Sequence, residues 1–221
     1  MRSAAVAFFV VAASAVALGQ DAVKVAPTHY KVALENAAVR ILRITYGPGE
    51  KSAMHQHPDT IVVPLNASKV RFTLPDGKTQ DQEMANETAL YIPAGVHSPA
   101  NMGSGNVDAV LVEFKAAAPG KATLPGARPG LDAKVLAEGP RAMVHRVTAA
   151  PTFAEAPGTT HEYDQVVIAL GSTDQMSLSI AGKPARTKWA RGDAEFIGRG
   201  VAHEAKNTGG KPFDFVIISI K

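Results

Sequence analysis

Two histidines separated by a single residue, His55 and His57, are the first feature of this sequence that could do chemistry. On a β-strand, residues i and i+2 point to the same face, because successive side chains alternate between the two faces. A third histidine, His97, lies farther along the chain and is followed four residues later by Asn101. If strand pairing brings His97 beside the first two, three imidazoles converge on one place inside the fold.

Three converging imidazoles predict a metal site. Imidazole binds zinc, copper, iron and nickel, and three protein ligands leave coordination positions open for water or a substrate. The chain has no cysteine, which excludes disulfides, thiolate nucleophiles and thiolate ligands. We find no Ser-His-Asp arrangement, phosphate loop or paired-carboxylate motif, so no catalytic residue is assigned. His29 and His145 fall outside the pattern, and we expect them to be ordinary surface or core residues.

The sequence contains two copies of one pattern. Matching residues recur at a separation that grows from 103 to 106 residues along the chain, as insertions in the loops would produce. In chain order, the matched pairs are 31–35 (KVALE) and 134–138 (KVLAE), 43–45 (RIT) and 146–148 (RVT), His57 and His161, and His97 and His203. An ordered series of this kind indicates two tandem copies.

The N-terminal residues differ in character from the rest. Arg2 precedes an apolar run, Ala4 to Leu18, that only Ser14 interrupts, and residues 17–19 (Ala-Leu-Gly) place small side chains before Gln20. This arrangement is typical of a secretory signal peptide. The run is shorter than the ~20 residues needed to cross a bilayer. We therefore expect a periplasmic or secreted protein that is not held at a membrane after cleavage.

Both copies are predicted to be all-β. Short runs rich in β-branched residues alternate with turn residues, as at 75–77 (Pro-Asp-Gly), and we see no convincing helical periodicity. Short strands with frequent turns are typical of a sandwich or barrel, and closure would remove exposed sheet edges. A Pro- and Gly-rich stretch separates the copies. The predicted segments are the signal peptide 1–19, the N-terminal domain 20–115, the linker 116–133 and the C-terminal domain 134–221.

Charge gives little indication of a macromolecular partner. The chain has 23 basic and 20 acidic residues, a net charge of +3, and no block of five like charges. A mixed-charge surface of this kind does not point to nucleic acid or to an acidic membrane. We expect a small-molecule substrate, and we leave open the formation of a homo-oligomer.

The histidine motifs resemble those of the cupin superfamily, G-x5-H-x-H-x(3,4)-E-x6-G and G-x5-P-x-G-x2-H-x3-N. In the first copy the matching residues are Gly49, His55, His57, Pro93, Gly95, His97 and Asn101, with Glu87 in place of a leading glycine and one residue missing before His97. In the second copy they are Gly192, Gly200, His203 and Asn207, with Gly198 in place of proline. The resemblance implies a bicupin of two tandem jelly-roll (double-stranded β-helix) barrels and a divalent ion, usually manganese, iron, nickel, copper or zinc.

The glutamate ligand of the first cupin pattern is absent here. Counting on from His57 leads to Ile61 or Val62, neither of which binds metals, and Asp59 could substitute only through a change of strand register. Some cupins hold their metal with three histidines alone. A neutral site of this type leaves the full charge of the ion to act as a Lewis acid on an anionic substrate.

The second copy lacks a complete histidine set. Thr159 stands where the first histidine should be, so His161 and His203 would need a carboxylate, for which Asp164 is the candidate. The simpler interpretation, which we prefer, is a barrel that has lost its metal and now serves packing or dimerisation.

Three functions are consistent with this sequence. The first is a small-molecule metalloenzyme, an oxygenase acting on a substrate that chelates the metal through oxygen atoms, as in the bicupin families that include quercetin dioxygenases. The second is a metal-dependent protein that binds a sugar or organic acid without turnover. The third is a structural bicupin. Because fold does not determine activity, the choice rests on the site itself.

Overall fold

A computed structural model describes residues 20–115 and 128–221. The predicted signal peptide, 1–19, and residues 116–127 of the predicted linker lie outside the described residues. The elements of the N-terminal half are β1 (Gln20–Asp21), α1 (Ala22–Val25), β2 (Tyr30–Glu35), β3 (Val39–Tyr46), β4 (His55–His57), β5 (Thr60–Pro64), β6 (Ser68–Thr73), β7 (Thr79–Met84), β8 (Leu90–Ile92), β9 (Gly95–Asn101) and β10 (Val107–Phe114).

The C-terminal half is built from strands throughout its described length. Its elements are β11 (Leu131–Glu138), β12 (Ala142–Ala149), β13 (Asp164–Ala169), β14 (Met176–Ile180), β15 (Lys183–Arg186), β16 (Ala194–Ile197), β17 (His203–Asn207) and β18 (Phe213–Ile220). Residues 131–133, which the sequence assigned to the linker, are the first residues of β11. The all-β prediction is confirmed. No helix in the described ranges is long and apolar enough to cross a membrane.

The two halves repeat one strand order. In the N-terminal half one sheet runs β2-β3-β10-β5-β8, and in the C-terminal half the corresponding sheet runs β11-β12-β18-β13-β16. The facing sheets are β1-β4-β9-β6-β7 and β15-β14-β17. Some hydrogen-bonded strands, such as β3 and β10, are distant in the sequence, so the chain crosses between the two sheets of each half. Each half is therefore a jelly roll of two facing sheets. The strands form separate sheets, so hydrogen bonding does not close a continuous barrel.

The two halves share a hydrophobic core. The central strands of the two matching five-stranded sheets are buried on both faces, because one face lines the interior of its own half and the other meets the opposite half. The side chains that meet between the halves include Ile41, Ile61, Val63, Val110, Val144, Ile168, Val216 and Ile218. Each large aliphatic side chain buried here contributes roughly 1.5–3 kcal/mol. This packing fixes each sheet and therefore the position of the strands that carry the histidines.

A buried asparagine joins two loops in each half. The side-chain Nδ2 of Asn101 lies 2.8–3.1 Å from the carbonyl oxygens of Tyr46, Gly47 and Gly105, and its Oδ1 accepts from the N–H of Gly103. The matching residue of the C-terminal half, Asn207, makes the same set of contacts with Ala149, Ala150, Lys211 and Gly209. The asparagine of the second sequence motif therefore serves the fold, because it satisfies backbone groups that would otherwise be buried unpaired.

The turn that opens the second motif needs a left-handed backbone in both halves. Gly192 adopts φ +83°, and a Cβ added there would collide with Nη1 of Arg43 of the other half. Glu87, at the matching position, adopts φ 56° without being glycine. Its carboxylate lies 2.8 Å from Nη1 of Arg146. An ion pair between the halves thus accompanies a backbone conformation that costs a non-glycine residue roughly 1–2 kcal/mol.

Candidate metal centre

The three histidines of the N-terminal half meet because β4 pairs antiparallel with β9. The register places His55 opposite His97 and His57 opposite Gly95. His55 and His57 are both buried, whereas Gln56 between them is exposed, as strand alternation predicts. The ring centroid of His97 lies 5.2 Å from that of His55 and 4.7 Å from that of His57. The strand pairing expected from the sequence is therefore present.

Backbone carbonyls orient two of these imidazoles. Nδ1 of His55 lies 2.9 Å from the carbonyl oxygen of Ala53, and Nδ1 of His57 lies 2.8 Å from that of Pro58. A carbonyl oxygen can only accept, so both Nδ1 atoms carry the proton and both Nε2 atoms offer a lone pair. Metal-ligating histidines are held in the same way, through the ring N–H that does not face the ion.

A tyrosine hydroxyl contacts the lone pair of His55. The Tyr30 hydroxyl lies 3.1 Å from Nε2 of His55, and it is joined to the Tyr46 hydroxyl at 2.9 Å, which in turn lies 2.9 Å from Oγ of Ser52. The ligand atoms of His55, His57 and His97 do not all fall within 4.8 Å of one another, unlike a second group described below. Because the Tyr30 hydroxyl contacts Nε2 of His55, binding of an ion by this nitrogen would replace that hydrogen bond with a metal bond.

The imidazoles are held in the form that binds metals. Burial, and then the neighbouring His57 and His55, lowers the pKa of His97 to about 3. Burial also lowers the pKa of His55, and His57 adds to this in the same direction. Both rings are neutral at physiological pH, and a neutral imidazole is the ligand that zinc, copper, iron and nickel accept. The chemistry of the donor set fits such an ion, and binding would require the three nitrogens to move closer together.

The histidines line a cavity of about 240 Å³ in the N-terminal half. Its walls are mainly apolar, and the ring of Phe72 lies 4.7 Å from that of His97. Other lining residues include Tyr30, Val62, Met84, Leu111 and Glu113. An apolar chamber with a few polar groups is the usual form of a small-molecule site.

Glu113 is a charged residue of this cavity that the sequence analysis missed. It is only 1% exposed, and its Oε2 lies 2.5 Å from Nε of Arg40, which also binds Asp21 through Nη2 at 2.5 Å. Its other oxygen, Oε1, is buried without a hydrogen-bond partner. Burial of an unpaired carboxylate oxygen is costly, so this atom is available to accept a hydrogen bond from a ligand.

No protein-family model matches the sequence, and no curated protein does. Solved structures are similar over most of the chain. A cupin 2 conserved barrel domain protein from Leptotrichia buccalis aligns with 87% of this chain and 88% of its own, at 15% identity and a TM-score of 0.56.

Two further solved structures are also similar to this chain over most of its length. AerE from Microcystis aeruginosa aligns with 87% of this chain and 97% of its own, at 14% identity and a TM-score of 0.62. Salicylate 1,2-dioxygenase from Pseudoaminobacter salicylatoxidans, with gentisate adducts, aligns with 83% of this chain and 68% of its own, at 13% identity and a TM-score of 0.61. The chain has the cupin fold. Identities this low establish the fold and leave the activity to be argued from the site.

The two aspartates considered as ligands have structural positions in this cupin fold. Oδ1 of Asp59 accepts from the backbone N–H of Ala94 at 2.8 Å, and Asp59 does not line the cavity. Asp164 accepts in the same way from the N–H of Arg199, also at 2.8 Å. Asp59 therefore does not lie with the N-terminal imidazoles, and Asp164 is not among the donor atoms grouped around His161 and His203. The hydrogen bond from Ala94 also lowers the pKa of Asp59.

The C-terminal half retains part of the histidine arrangement. Thr159 forms an isolated bridge with His203, at the position where His55 pairs with His97, so the sequence alignment of the copies is correct here. The rings of His161 and His203 lie 4.9 Å apart. Glu155, rather than Asp164, is the carboxylate beside them. Glu155 does not follow from the motif spacing, because it precedes both histidines instead of following His161.

The two histidines outside the motifs lie apart from the candidate ligands, and His145 differs from a satisfied core residue because both its ring nitrogens are buried without a hydrogen-bond partner. His29 stacks on Tyr46 with ring centroids 4.1 Å apart, and its Nδ1 lies 2.9 Å from the carbonyl oxygen of Thr45. His145 is buried on β12 among the strands of the C-terminal half. Neither belongs to the group of donor atoms in its half.

Proposed function

We propose that His55, His57 and His97 bind a divalent metal ion and that the protein is a metal-dependent oxygenase of small molecules. The observation that carries this proposal is the position of three imidazoles, two of them with lowered pKa values, in the wall of a mainly apolar cavity of about 240 Å³. An ion of iron, manganese, nickel, copper or zinc would supply Lewis-acid or redox chemistry to a substrate that binds through oxygen atoms.

Groups of the protein itself would orient the ligands of the ion and surround the substrate. The carbonyl oxygens of Ala53 and Pro58 hold two imidazole rings in place. Phe72 and Met84 belong to the apolar wall that excludes water from the reacting groups. Tyr30 lies against His55 and lines the same cavity, where its hydroxyl can turn from the imidazole to a bound substrate.

The cavity favours a substrate with a single ring. A cavity of about 150 Å³ holds benzene, so about 240 Å³ accommodates a substituted one-ring compound but is small for a three-ring flavonol. Salicylate 1,2-dioxygenase, which shares the fold, is named for a one-ring substrate. The free Oε1 of Glu113 favours a substrate that also donates a hydrogen bond, such as a hydroxylated ring.

A metal-dependent protein that binds a sugar or organic acid without turnover is the second candidate. The shortened second motif, with one residue missing before His97, supports it. We also propose, from the sequence of residues 1–19 alone, that the chain is exported and acts in the periplasm or outside the cell.

Oxygen consumption tests the proposed activity. The purified protein would be analysed for metal, reloaded separately with iron(II), manganese(II), nickel(II) and copper(II), and supplied with catechol, gentisate, salicylate, a diketone and a flavonol. We expect one loaded form to consume oxygen with a one-ring hydroxylated compound and to be inactive with the flavonol. Ligand binding without oxygen uptake in every loaded form would favour the second candidate and contradict the first.

The substitution Glu113→Gln tests the proposed recognition of a hydroxyl group. Glutamine keeps the size of the side chain but removes the negative charge that faces the cavity. We expect KM for a hydroxylated substrate to rise about tenfold to a hundredfold, since a hydrogen bond to a charged group contributes ~1.5–3 kcal/mol, with a smaller change in kcat. The matched control is Glu83→Gln, an exposed position on β7. An unchanged KM in Glu113→Gln would remove Glu113 from substrate binding.

A further inference from the structure

The C-terminal half contains a compact group of donor atoms that the proposed function does not use. Glu155, His161 and His203 each offer one ligand atom, and these atoms all lie within 4.8 Å of one another. Within residues 20–115 and 128–221, no other group of histidine and acidic side chains meets this criterion. Two imidazoles and one carboxylate form a donor set that several divalent transition metals accept.

Each histidine of this group presents a nitrogen suited to a metal. Nδ1 of His203 lies 3.2 Å from the carbonyl oxygen of Val201, so it carries the proton and leaves the lone pair on Nε2. That Nε2 atom lies 3.9 Å from Oε2 of Glu155. Nε2 of His161 is buried without any hydrogen-bond partner. An ion between these atoms would satisfy a buried nitrogen that is otherwise unpaired.

The carboxylate of Glu155 is fixed by two contacts that leave room for a third. Oε1 accepts from Nη1 of Arg128 at 2.5 Å, and Oε2 accepts from the backbone N–H of Ala205 at 2.8 Å. A carboxylate oxygen has two lone pairs, so Oε2 can also bind an ion on its His203 side. Hydrogen bonds to a ligating carboxylate are the usual second layer of a metal site. The side chain of Glu155 is only 7% exposed.

Backbone pairing explains how a glutamate takes over the role of the lost histidine. The N–H of Glu155 donates to the carbonyl of Ala205, just as the N–H of Ser52 donates to that of Pro99 in the other half. Glu155 therefore occupies the position of Ser52, whose Oγ lies 3.5 Å from Nδ1 of His55. A longer, acidic side chain at this position extends to within 3.9 Å of Nε2 of His203.

We propose that Glu155, His161 and His203 form a second metal site, one that holds an ion without an organic substrate. The cavity beside Glu155 and His203 has a volume of about 50 Å³, against about 240 Å³ in the N-terminal half. That space holds an ion and one or two waters but not a benzene-sized molecule, which needs about 150 Å³. The ion connects the loop between β12 and β13, which carries Glu155 and His161, to β17.

The test counts zinc ions bound by the full chain after chelation and removal of the chelator. Calorimetry with Zn²⁺, checked by metal analysis, is expected to give two ions per chain for the wild type. His161→Ala and Glu155→Gln should each give one, and the double variant His97→Ala/His161→Ala should give none. Asp164→Asn is the matched control and should keep two, because Asp164 binds the Arg199 N–H instead of the ion.

The outcomes separate this site from the N-terminal one. In His97→Ala, Zn²⁺ should still raise the thermal unfolding midpoint, and this rise should vanish in His97→Ala/His161→Ala. If His161→Ala binds as many ions as the wild type, the proposal is overturned, whatever happens at His97. Loss of one ion in His161→Ala but none in His97→Ala would support the second site and contradict the N-terminal one. Glu155→Gln also removes the ion pair with Arg128, so His161→Ala decides the result if that variant unfolds.

Discussion

Replacement of His97 by alanine is expected to lower the affinity of the N-terminal site for Zn²⁺ or Fe²⁺ by more than about a hundredfold, because loss of even a supporting contact to a ligand costs 10–100-fold. Oxygen uptake should fall below detection. His97 is the clearest of the three histidines to test. The ring of His97 contacts the rings of His55, His57 and Phe72. Replacement of His55, by contrast, would also remove the hydrogen bonds that His55 makes with Tyr30 and Ala53.

The measurement is metal affinity by calorimetry together with circular dichroism, which checks that the β-rich fold is kept. His29→Ala is the matched control, since His29 lies in the same half and does not itself line the cavity, although the ring of Tyr46 on which it stacks does. This control should bind metal as the wild type does. If His97→Ala keeps wild-type affinity, His97 is not a ligand and the proposed N-terminal site is wrong.

The sequence predicted the part of the site that lies on paired strands. Alternation on β4 determines that His55 and His57 share a face, and a short antiparallel pairing then brings His97 opposite them. The all-β class followed from equally local signals, namely short β-branched runs separated by turn residues. Such features depend on the chain's own periodicity, so they can be recognised without knowing how the sheets pack.

The supporting residues could not be predicted in the same way. Asp164 and Glu155 are both acidic residues close in sequence to His161, and only loop geometry shows that one caps the Arg199 N–H while the other faces the imidazoles. Tyr30 reaches His55 from a different sheet. Glu113 did leave a signal, since it is the acidic residue near the end of the apolar run 107–114. A charge within a strand buried on both faces indicates a partner or a function.

Acidification is expected to destabilise the metal-free protein well above the pH at which its carboxylates titrate. Burial, with the neighbouring histidines, lowers the pKa of His97 to about 3, and burial followed by the charge of His203 lowers that of His161 to about 4. Burial also lowers the pKa of His145. In the unfolded chain these side chains titrate near about 6.5. Below that pH the unfolded chain therefore binds more protons than the folded one.

Because the unfolded chain binds more protons, the free energy of unfolding decreases as the pH falls. The stabilisation is complete above about pH 6.5 and is lost as the pH falls toward the folded pKa values, at up to about 1.4 kcal/mol per pH unit for each histidine. His97 and His161 together should lower the free energy of unfolding by up to about 2.7 kcal/mol per unit between about pH 6 and 4.5. This slope is measured by urea unfolding of protein from which metal has been removed with a chelator. In His97→Ala the slope should be smaller by up to half. A free energy of unfolding that stays constant over this range would mean that the imidazoles are solvated in the folded state. The neutral, buried donor set on which both metal sites depend would then be absent.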